Sequence, residues 1–506
     1  MTLTLTELTA GMPIPYGGDR IAVVDEKLAR AFRPGDALYV VQQTGALLHV
    51  PSDVRRAVTR QVDAAVEAFT ALRAVPPDAI GAFFDEFASR LEEGWERIER
   101  ANEADVARAR GRGRSTTRLE VSGRVGEEMT AGLRGWARRV GGEGPAALSR
   151  PVGRVSHDGW DVTEVTAPLG VVAFVFEGRP NVLADAAGVV ATGNTAVLRI
   201  GGDALGTAEA IRDLALAPAL RASGLPEGTI GIVPVRDRSA GWALFSDPRL
   251  ALAVTRGTGR AVMELSAVAR QAGVPVSAHG TGGAWLVADA AADAARFSGA
   301  VEHSLDRKVC NTLNVAVVVR ERAAELVPVL LEAADRAAAS RAGVGARARI
   351  HVAEGSQQWV GAGEFATSIA VRRAQGDVTE PRADVLAVDG LSREWEWEGT
   401  PELALLVVAG LDEAITAVNR WSPQFVASLI SEDPAAQERF RQSVNAPFVG
   451  DGFTRWVDGQ YALDEPELGL SNWQSGRLLA RGGVLTGATM TTRRLFAHQG
   501  SGDQHR

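Results

Sequence analysis

The residue in this sequence most suited to covalent chemistry is Cys310, the only cysteine among 506 residues. It lies in the run Lys308-Val309-Cys310-Asn311-Thr312, shortly before the apolar, strand-like residues 315–319. A thiolate is the best nucleophile among side chains, and an unperturbed cysteine provides a few per cent of it at neutral pH. A lone cysteine is more often a small buried hydrophobic side chain. The residue type by itself leaves both interpretations open.

Lys308 stands two residues before this cysteine, in a chain whose other lysine is Lys27. Nearly all the positive charge is carried by arginine, so a lysine at this position is unusual for the composition. An ammonium within about 4–6 Å can lower the pKa of a thiol and can also hold a leaving phosphate. We therefore consider an assisting cation at Lys308, against the alternative of a solvated side chain that points away.

Length and composition exclude several classes of protein. A chain of 506 residues that is 46% hydrophobic is too long for one core and predicts about three domains. One cysteine excludes an intramolecular disulfide and the first residues show no charged-then-apolar leader, so we expect a cytoplasmic protein. No apolar run approaches the ~20 residues of a membrane span. The net charge of −8, with scattered basic residues, makes nucleic acid an unexpected partner.

Hydrophobic periodicity predicts how the chain is organised. Two alternating apolar runs around Gly45 predict a hairpin over residues 36–50, and helical spacing follows over 52–72 and 80–139. From residue 162 onward short apolar strands alternate with helices, which implies a doubly wound parallel sheet. A second alternating region extends from Trp285 to about Ser431. In the first region the strand signals lie at 170–176, 195–200, 229–233, 250–255 and 274–278, and the helical signals at 182–191, 207–216 and 259–272.

Two stretches near the start of this alternating region resemble a known family. Residues 167–182 (APLGVVAFVFEGRPNV) and 191–202 (ATGNTAVLRIGG) are similar to segments of the γ-glutamyl phosphate reductase (glutamate-5-semialdehyde dehydrogenase) family, a branch of the aldehyde dehydrogenase superfamily. Several long motifs in one order are far more specific than any single motif, and the resemblance is collinear from about residue 80 to residue 494. It continues through residues 309–312, 410–415, 453–455, 458–459, 467–471 and 480–482.

The resemblance implies an α/β fold of the aldehyde dehydrogenase type. Such a protein has a doubly wound cofactor domain, an α/β catalytic domain that carries the cysteine, and a small oligomerisation element. We expect a homo-oligomer, either a dimer or a tetramer. The predicted domains are an N-terminal extension of unknown role at 1–79, a dinucleotide-binding domain at 80–279, a catalytic domain at 280–449, and a segment at 450–506 that completes the site and the oligomerisation element and ends in a disordered tail.

The chemistry that the resemblance implies is reduction of an acyl phosphate to an aldehyde, a step of proline biosynthesis. The Cys310 thiolate attacks the acyl carbon, phosphate leaves, and hydride from a nicotinamide reduces the thioester. The oxyanion needs donors already aimed at it, and by resemblance these are the Asn181 side-chain amide and the Cys310 backbone N–H. The alternative for Asn181 is a turn, which Pro-Asn pairs commonly form.

One carboxylate of the wider superfamily is absent from this sequence. Aldehyde dehydrogenases that produce acids carry a glutamate in a Glu-Leu-Gly-Gly segment, where it activates the water that hydrolyses the thioester. The corresponding segment here, residues 276–283, reads VSAHGTGG and contains no carboxylate. Attack by water on the acyl-enzyme should therefore be slow. His279 could in principle act as a base, but we interpret it as mainly structural.

The residues expected to bind a dinucleotide lie at the ends of the first set of strands. Glycines before a helix, as in residues 255–259 (TRGTG), let backbone N–H groups approach a pyrophosphate. Arg199 stands where other aldehyde dehydrogenases have a lysine, and a guanidinium suits a ribose 2′-phosphate, so NADPH is preferred and NADH is the alternative. A solvated arginine at a strand end is the competing interpretation. The expected cofactor-binding residues are Arg199, Gly201, Thr255, Gly257, Gly259 and Glu398.

The residues expected at the substrate match the family's motifs and are Arg179, Asn311, Thr454 and Arg455. Arginine pairs bidentately with carboxylate, which suits Arg455 to the amino-acid end of γ-glutamyl phosphate or a related amino-acyl phosphate. Departures from the family around the cysteine keep two alternatives open. One is a reductase of an acyl thioester or carrier-bound amino acid, and the other is a non-catalytic paralogue that acts as a binding partner. No metal ion is expected.

Overall fold

The computed structural model describes residues 4–114, 116, 119–141, 149–176, 178–373, 376–457, 463, 465–470, 473–474, 477–478 and 485–500. The chain divides into two units, where the sequence predicted about three domains. The first unit comprises Met1–Gly280, Leu463–Gly469 and Leu485–Arg506, and the second comprises Thr281–Ala462 and Leu470–Val484. The segment predicted at 450–506 is thus shared between the units, and its expected disordered tail at 501–506 lies outside the described residues.

Residues 4–75 form two hairpins and a long helix. The predicted hairpin over 36–50 is confirmed, because two strands pair there in antiparallel register and Gly45 in their turn has a φ of 74°, which favours glycine. The helix predicted over 52–72 is also confirmed. The elements are β1 (Pro13–Tyr16), β2 (Arg20–Val23), α1 (Glu26–Ala31), β3 (Ala37–Val40), β4 (Leu47–Val50) and α2 (Ser52–Leu72).

Helix α2 belongs to the core of the first unit. Its buried residues Val54, Val58 and Val62 recur every four positions, as in an amphipathic helix with one apolar face. They pack in one apolar cluster with residues of the central sheet, such as Val171. The extension predicted at 1–79 is therefore not a separate module in the structure, since its helix covers the sheet of the first unit.

Two long helices account for the helical region predicted at 80–139. They are α3 (Pro77–Arg110) and α4 (Gly123–Gly141), and they precede an antiparallel hairpin of β5 (Pro151–His157) and β6 (Trp160–Pro168). The chain's strand signals did not predict β5, because all seven of its residues are exposed and it lacks a buried face.

A five-stranded parallel sheet forms the centre of the first unit, with strand order β11-β10-β7-β8-β9 among the described residues. This confirms the predicted doubly wound α/β fold. Its strands end at one edge, which is where open α/β sheets bind ligands. The elements are β7 (Val171–Phe176), α5 (Val182–Ala187), β8 (Thr195–Ile200), α6 (Leu205–Ile211), α7 (Ala217–Ala222), β9 (Ile230–Ile232), α8 (Ser239–Phe245), β10 (Leu250–Arg256), α9 (Gly259–Gln271) and β11 (Val276–His279).

The second unit contains a seven-stranded parallel sheet, with the order β17-β14-β18-β13-β12-β19-β20 in the described part of the chain. Its elements are β12 (Ala284–Ala288), α10 (Ala294–His303), β13 (Leu313–Val319), α11 (Ala323–Ala342), β14 (Arg349–Ala353), α12 (Ala362–Ala366), β15 (Ser368–Arg373), β16 (Gly376–Pro381), β17 (Ala383–Leu386), β18 (Glu402–Val408), α13 (Leu411–Trp421), β19 (Val426–Ile430), α14 (Pro434–Ser443), β20 (Phe448–Gly450), β21 (Trp473–Gln474) and β22 (Arg477–Leu478).

Strands β12 and β13 are neighbours at the centre of this sheet, and every residue in both is buried. Ala284 at the start of β12 is in register with Leu313 at the start of β13. Because parallel strands begin at the same edge, the loops that precede them lie side by side. Those loops carry Gly282 and Cys310, which are far apart in the sequence.

A third, three-stranded antiparallel sheet contains β6 in its centre, flanked by β5 and by β23 (Thr491–Gln499). This sheet lies within the first unit and unites residues about 330 positions apart in sequence. Among the described residues, no helix is long and apolar enough to cross a membrane.

Strand β11 ends in His279, which is buried. Burial lowers the pKa of His279 to about 3, with further lowering by the positive charges of Arg256 and Arg179. The imidazole is therefore neutral in the folded protein at neutral pH. Because its pKa lies below the ordinary value of 6.5, folding becomes less favourable once the unfolded chain binds a proton there.

We predict that His279 makes the protein sensitive to acid. Its contribution is fully present above pH ~6.5 and is lost as the pH falls toward 3, at about 1.4 kcal/mol of unfolding free energy per pH unit. Urea unfolding of the wild type and His279→Gln between pH 7.5 and 4.5 measures the two slopes. The variant should lose less stability over this range, whatever its stability at pH 7.5. Parallel slopes would contradict the assignment.

Candidate active site

Cys310 lies in the turn between α10 and β13 and is partly exposed. It packs beside a small apolar cluster that includes Ala284, Phe448 and Val457. Its carbonyl oxygen accepts a hydrogen bond of 2.7 Å from the backbone N–H of Gly283. Its own backbone N–H donates to no described residue. The thiol is thus not deeply buried, and the backbone beside it is held through its carbonyl oxygen.

Three of the predicted substrate residues are bound to one another just behind Cys310. Asn311, Thr454 and Arg455 are all buried. The Thr454 hydroxyl donates to the Asn311 carbonyl oxygen at 2.7 Å, and the Arg455 guanidinium donates to the Asn311 side-chain oxygen. The Arg455 guanidinium also pairs with Asp306 at 2.6 Å, while the Asn311 amide donates to the Val457 carbonyl oxygen.

This arrangement braces the loop that carries the nucleophile. The predicted role of Arg455 in binding a substrate carboxylate would require its guanidinium to exchange partners that it already holds in the folded chain. A buried arginine paired with a carboxylate and an amide more simply fixes the backbone around it. Substrate contact by these three residues stays a prediction, and the structure adds a supporting role that the sequence did not indicate.

Lys308 is buried, so the alternative of a solvated side chain is wrong. Its side chain is 7% exposed, and its Nζ lies 2.6 Å from Glu394 Oε1. The other oxygen of this carboxylate, Oε2, accepts a hydrogen bond of 2.6 Å from the backbone N–H of Gly282. Glu394 therefore connects the nucleophile loop with the turn before β12.

The predicted cofactor residue Glu398 lies elsewhere in the second unit. It is exposed, and its backbone forms a bridge with Arg372 of β15. Glu394 lies four residues before Glu398. The residues on either side of Glu394 are held by Asn314, whose side-chain amide donates to the Arg393 carbonyl oxygen and accepts from the Trp395 N–H, both at 2.9 Å. The acidic residue that reaches the nucleophile loop is thus Glu394, which sequence analysis missed because the run at 394–398 contains three glutamates at alternate positions.

Asn181 belongs to the first unit, immediately before helix α5, where it is half-buried. Its Nδ2 donates to Asp185 Oδ2 at 3.2 Å, so the amide orientation is restrained by a carboxylate one helical turn later. Arg179 lies close enough to His279 to lower its pKa. Sequence analysis did not single out Asp185, because its position becomes informative only when residues 181–185 are known to form one helical turn.

Three predicted cofactor residues, Arg199, Thr255 and Gly257, line a cleft of ≈ 260 Å³ in the first unit. Gly259 begins helix α9 at this cleft, and Gly201 directly follows β8. Sequence analysis missed Arg238, Trp242 and Arg260, which also line the cleft, as does Arg256. The guanidinium of Arg238 stacks over the Trp242 ring at 5.1 Å.

Several features of this cleft fit an anionic dinucleotide. Four arginines line it against one acidic residue, Glu264, which pairs with Arg260 at 3.1 Å. The hydroxyl of Thr255 is buried and has no hydrogen-bond partner among the described residues, so it is available to a ligand. Arg199 is buried with its guanidinium donating to the Arg236 carbonyl oxygen at 3.2 Å, which makes the solvated interpretation wrong.

Comparisons with known proteins agree with this architecture. Residues 41–358 match the model of the aldehyde dehydrogenase family. Gamma-glutamyl phosphate reductase of Afipia carboxidovorans is 30% identical over 400 residues, which cover 76% of this chain and 82% of that relative. The resemblance inferred from the motifs is therefore confirmed.

Solved structures show the same fold at lower identity. The crystal structure of gamma-glutamyl phosphate reductase from Thermotoga maritima superposes with a TM-score of 0.73 at 23% identity, over 89% of this chain and 99% of that one. Lactaldehyde dehydrogenase from Escherichia coli gives a TM-score of 0.62 at 17% identity, over 92% and 96% of the two chains. The chain therefore belongs to the aldehyde dehydrogenase family and is an oxidoreductase that acts on aldehyde groups.

Proposed function

We propose that this protein reduces an acyl phosphate, γ-glutamyl phosphate or a related amino-acyl phosphate, to the aldehyde through a thioester on Cys310, with NADPH as reductant. The observation that carries this proposal is the loop around Cys310: a partly exposed thiol with a braced backbone and an N–H that donates to no described residue. The relative from Afipia carboxidovorans, named for reduction of gamma-glutamyl phosphate, supports the substrate class.

The proposed reaction begins when Cys310 Sγ attacks the acyl carbon. The Cys310 N–H donates to the oxygen that gains negative charge, and a donor already held in the folded backbone lowers the cost of the transition state. The family resemblance implies the same role for the Asn181 amide. The bond to the phosphate oxygen then breaks and phosphate leaves with the electron pair. NADPH, when bound, would supply the hydride for reduction of the acyl group. The carbon–sulfur bond then breaks and its electron pair returns to Cys310 Sγ, which releases the aldehyde and regenerates the thiolate.

The described residues offer no effective base for hydrolysis of the thioester. His279 has a pKa lowered by burial to about 3, so its imidazole has little affinity for a proton taken from water. The Glu394 carboxylate approaches the nucleophile loop, but its two oxygens accept from Lys308 and from the Gly282 N–H. The acyl-enzyme should therefore persist until phosphate, or hydride in the forward direction, removes the acyl group.

The arginine-lined cleft supports NADPH over NADH. Arg199 is held in place by burial and by the Arg236 carbonyl oxygen, and Arg238 presents a second guanidinium stacked on an indole. Guanidinium groups pair bidentately with phosphate, which only the 2′-phosphorylated dinucleotide offers at the ribose. The N-terminus of α9 and Gly257 would hold the pyrophosphate.

We further propose a dimer or tetramer that forms through the sheet of β5, β6 and β23. This sheet exposes Val155, Leu495 and Phe496, with exposed fractions of 58%, 69% and 51%. Exposed apolar side chains on sheet edges favour association with another strand. The cytoplasmic location expected from the single cysteine stays a prediction.

Substitution of the nucleophile is the most direct test. Cys310→Ser should lower turnover by roughly 10³-fold or more, because a hydroxyl supplies almost no anion at neutral pH. Glutamate-5-semialdehyde, phosphate and NADP⁺ provide the reverse-direction assay. Unchanged NADPH titration of the variant would control for folding. Near-normal turnover in this cysteine-free variant would refute the thioester mechanism.

The acyl acceptor provides a second prediction. With aldehyde and NADP⁺ but no phosphate, the enzyme should form about one equivalent of NADPH per site and then stop, because water attacks the thioester slowly. Phosphate, or arsenate as its analogue, should restore steady turnover. Continuous NADPH formation in phosphate-free buffer would instead show that a residue activates water. Turnover with a thiol acceptor but not with phosphate would favour an acyl-thioester reductase.

Arg199→Met should separate the two dinucleotides. The loss of one charge-assisted hydrogen bond is expected to raise the KM for NADPH by about 10- to 100-fold, while the KM for NADH changes little. Arg221→Met is the matched control, since that arginine is exposed on α7 and pairs with Glu227 at the surface. Equal effects of Arg199→Met on both dinucleotides would argue against a 2′-phosphate contact.

A further inference from the structure

We propose that Lys308 and Glu394 form a buried latch that positions the nucleophile loop against the turn at Gly282. The expected effect of the latch on turnover rests on the proposed function of Cys310. Its existence as a physical constraint can be tested without turnover. Both are positioning residues, because they act on the backbone that holds the thiol.

The first part of the latch is an ion pair from which water is largely excluded. Lys308 Nζ and Glu394 Oε1 are 2.6 Å apart, with side chains 7% and 17% exposed. A second carboxylate, that of Glu396, lies 3.9 Å from the same Nζ, but its side chain is 72% exposed. The buried pair is therefore the stronger restraint, since solvent screens Glu396.

The second part of the latch connects this pair with the turn before β12. Glu394 Oε2 accepts from the Gly282 N–H at 2.6 Å, and the neighbouring Gly283 N–H donates to the Cys310 carbonyl oxygen at 2.7 Å. The nucleophile loop is thus tied to two consecutive residues of the turn. One tie is direct through Cys310, and the other runs through the side chains of Lys308 and Glu394.

The close approach at Gly282 explains why these ties control position. A Cβ atom at Gly282 would lie 2.7 Å from Cys310 Cα, from the Cys310 carbonyl oxygen and from Glu394 Oε1. Such distances are far below van der Waals contact. The three segments therefore meet with no room for a side chain, and a shift of any one of them must move the nucleophile.

The backbone on both sides of Glu394 is held by hydrogen bonds to a neighbouring strand. The Asn314 side chain, from strand β13, donates to the Arg393 carbonyl oxygen and accepts from the Trp395 N–H, each at 2.9 Å. An amide can satisfy a donor and an acceptor at once, so it holds the residues on both sides of Glu394. The carboxylate position is thereby set by the central sheet and not by a flexible loop.

The physics of buried charges predicts a characteristic pattern of mutational effects. Removal of one partner leaves the other as an uncompensated buried charge, whereas removal of both leaves a neutral site. Lys308→Met and Glu394→Gln should therefore each displace the loop, and the double variant should be closer to the wild type than either single variant. Such non-additivity is expected for residues that are in contact or belong to one hydrogen-bond network.

The closing experiment compares both single variants, the double variant and Glu396→Gln as the matched surface control. Iodoacetamide labels the protein at one thiol only, because Cys310 is the only cysteine. Its limiting rate at alkaline pH reports access to the thiol. We expect both single variants to be labelled at least about threefold faster than the wild type, the double variant to lie between them and the wild type, and Glu396→Gln to lie within about twofold of the wild type.

Turnover in the reverse direction provides the second readout. The single variants should lose about 10- to 100-fold in kcat with the KM for the aldehyde changed less than about threefold, and the double variant should recover only part of that loss. Opposite effects of Lys308→Met and Glu394→Gln on labelling would overturn the latch and favour electrostatic activation of the thiol by Lys308. Unaltered labelling in both single variants would also overturn it. If turnover is absent even in the wild type while labelling follows the expected pattern, the proposed function fails and the latch stands.

Discussion

The close contact between the backbone of Cys310 and the turn at Gly282 is the constraint on which the arrangement of the second unit around Cys310 depends. It arises because β12 and β13 are adjacent, parallel and fully buried, so that the loops before them have to pass each other at the same edge of the sheet. Glycine at 282 allows an approach that any side chain would prevent. Cys310 is thereby held by the fold of the second unit and not by local loop structure alone.

Charged side chains near this contact form ion pairs within the protein. Arg455 pairs with Asp306 behind the loop, and Lys308 pairs with Glu394 beside it. The side chains of Arg455 and Lys308 are buried, and a buried charge that loses its partner is costly, so each pair favours one arrangement of the chain. The two pairs lie on either side of the loop that carries Cys310. Because Lys308 is paired with Glu394, it is less suited to bind a phosphate group than an unpaired lysine would be.

In the first unit, by contrast, positive charge is concentrated at one cleft. Arg199, Arg238, Arg256 and Arg260 converge on one cleft with a single carboxylate among its lining residues, and the buried Thr255 hydroxyl has no partner in the described part of the chain. Such an excess of donors over acceptors fits a ligand that brings negative charge. Burial, together with the positive charges of Arg256 and Arg179, lowers the pKa of His279, so that its imidazole is neutral at neutral pH.

The sequence by itself determined the family and the doubly wound fold, and it predicted Cys310 as the nucleophile, because these inferences depend on short-range periodicity and on collinear motifs. It also placed α2 and the hairpin at Gly45 correctly, since apolar spacing and turn residues are local signals. Only the tertiary structure decided that Glu394 and not Glu398 reaches the nucleophile loop, that Arg455 is already paired, and that β23 joins β5 and β6. These facts depend on side-chain direction and on pairing between residues tens to hundreds of positions apart, for which periodicity carries no information.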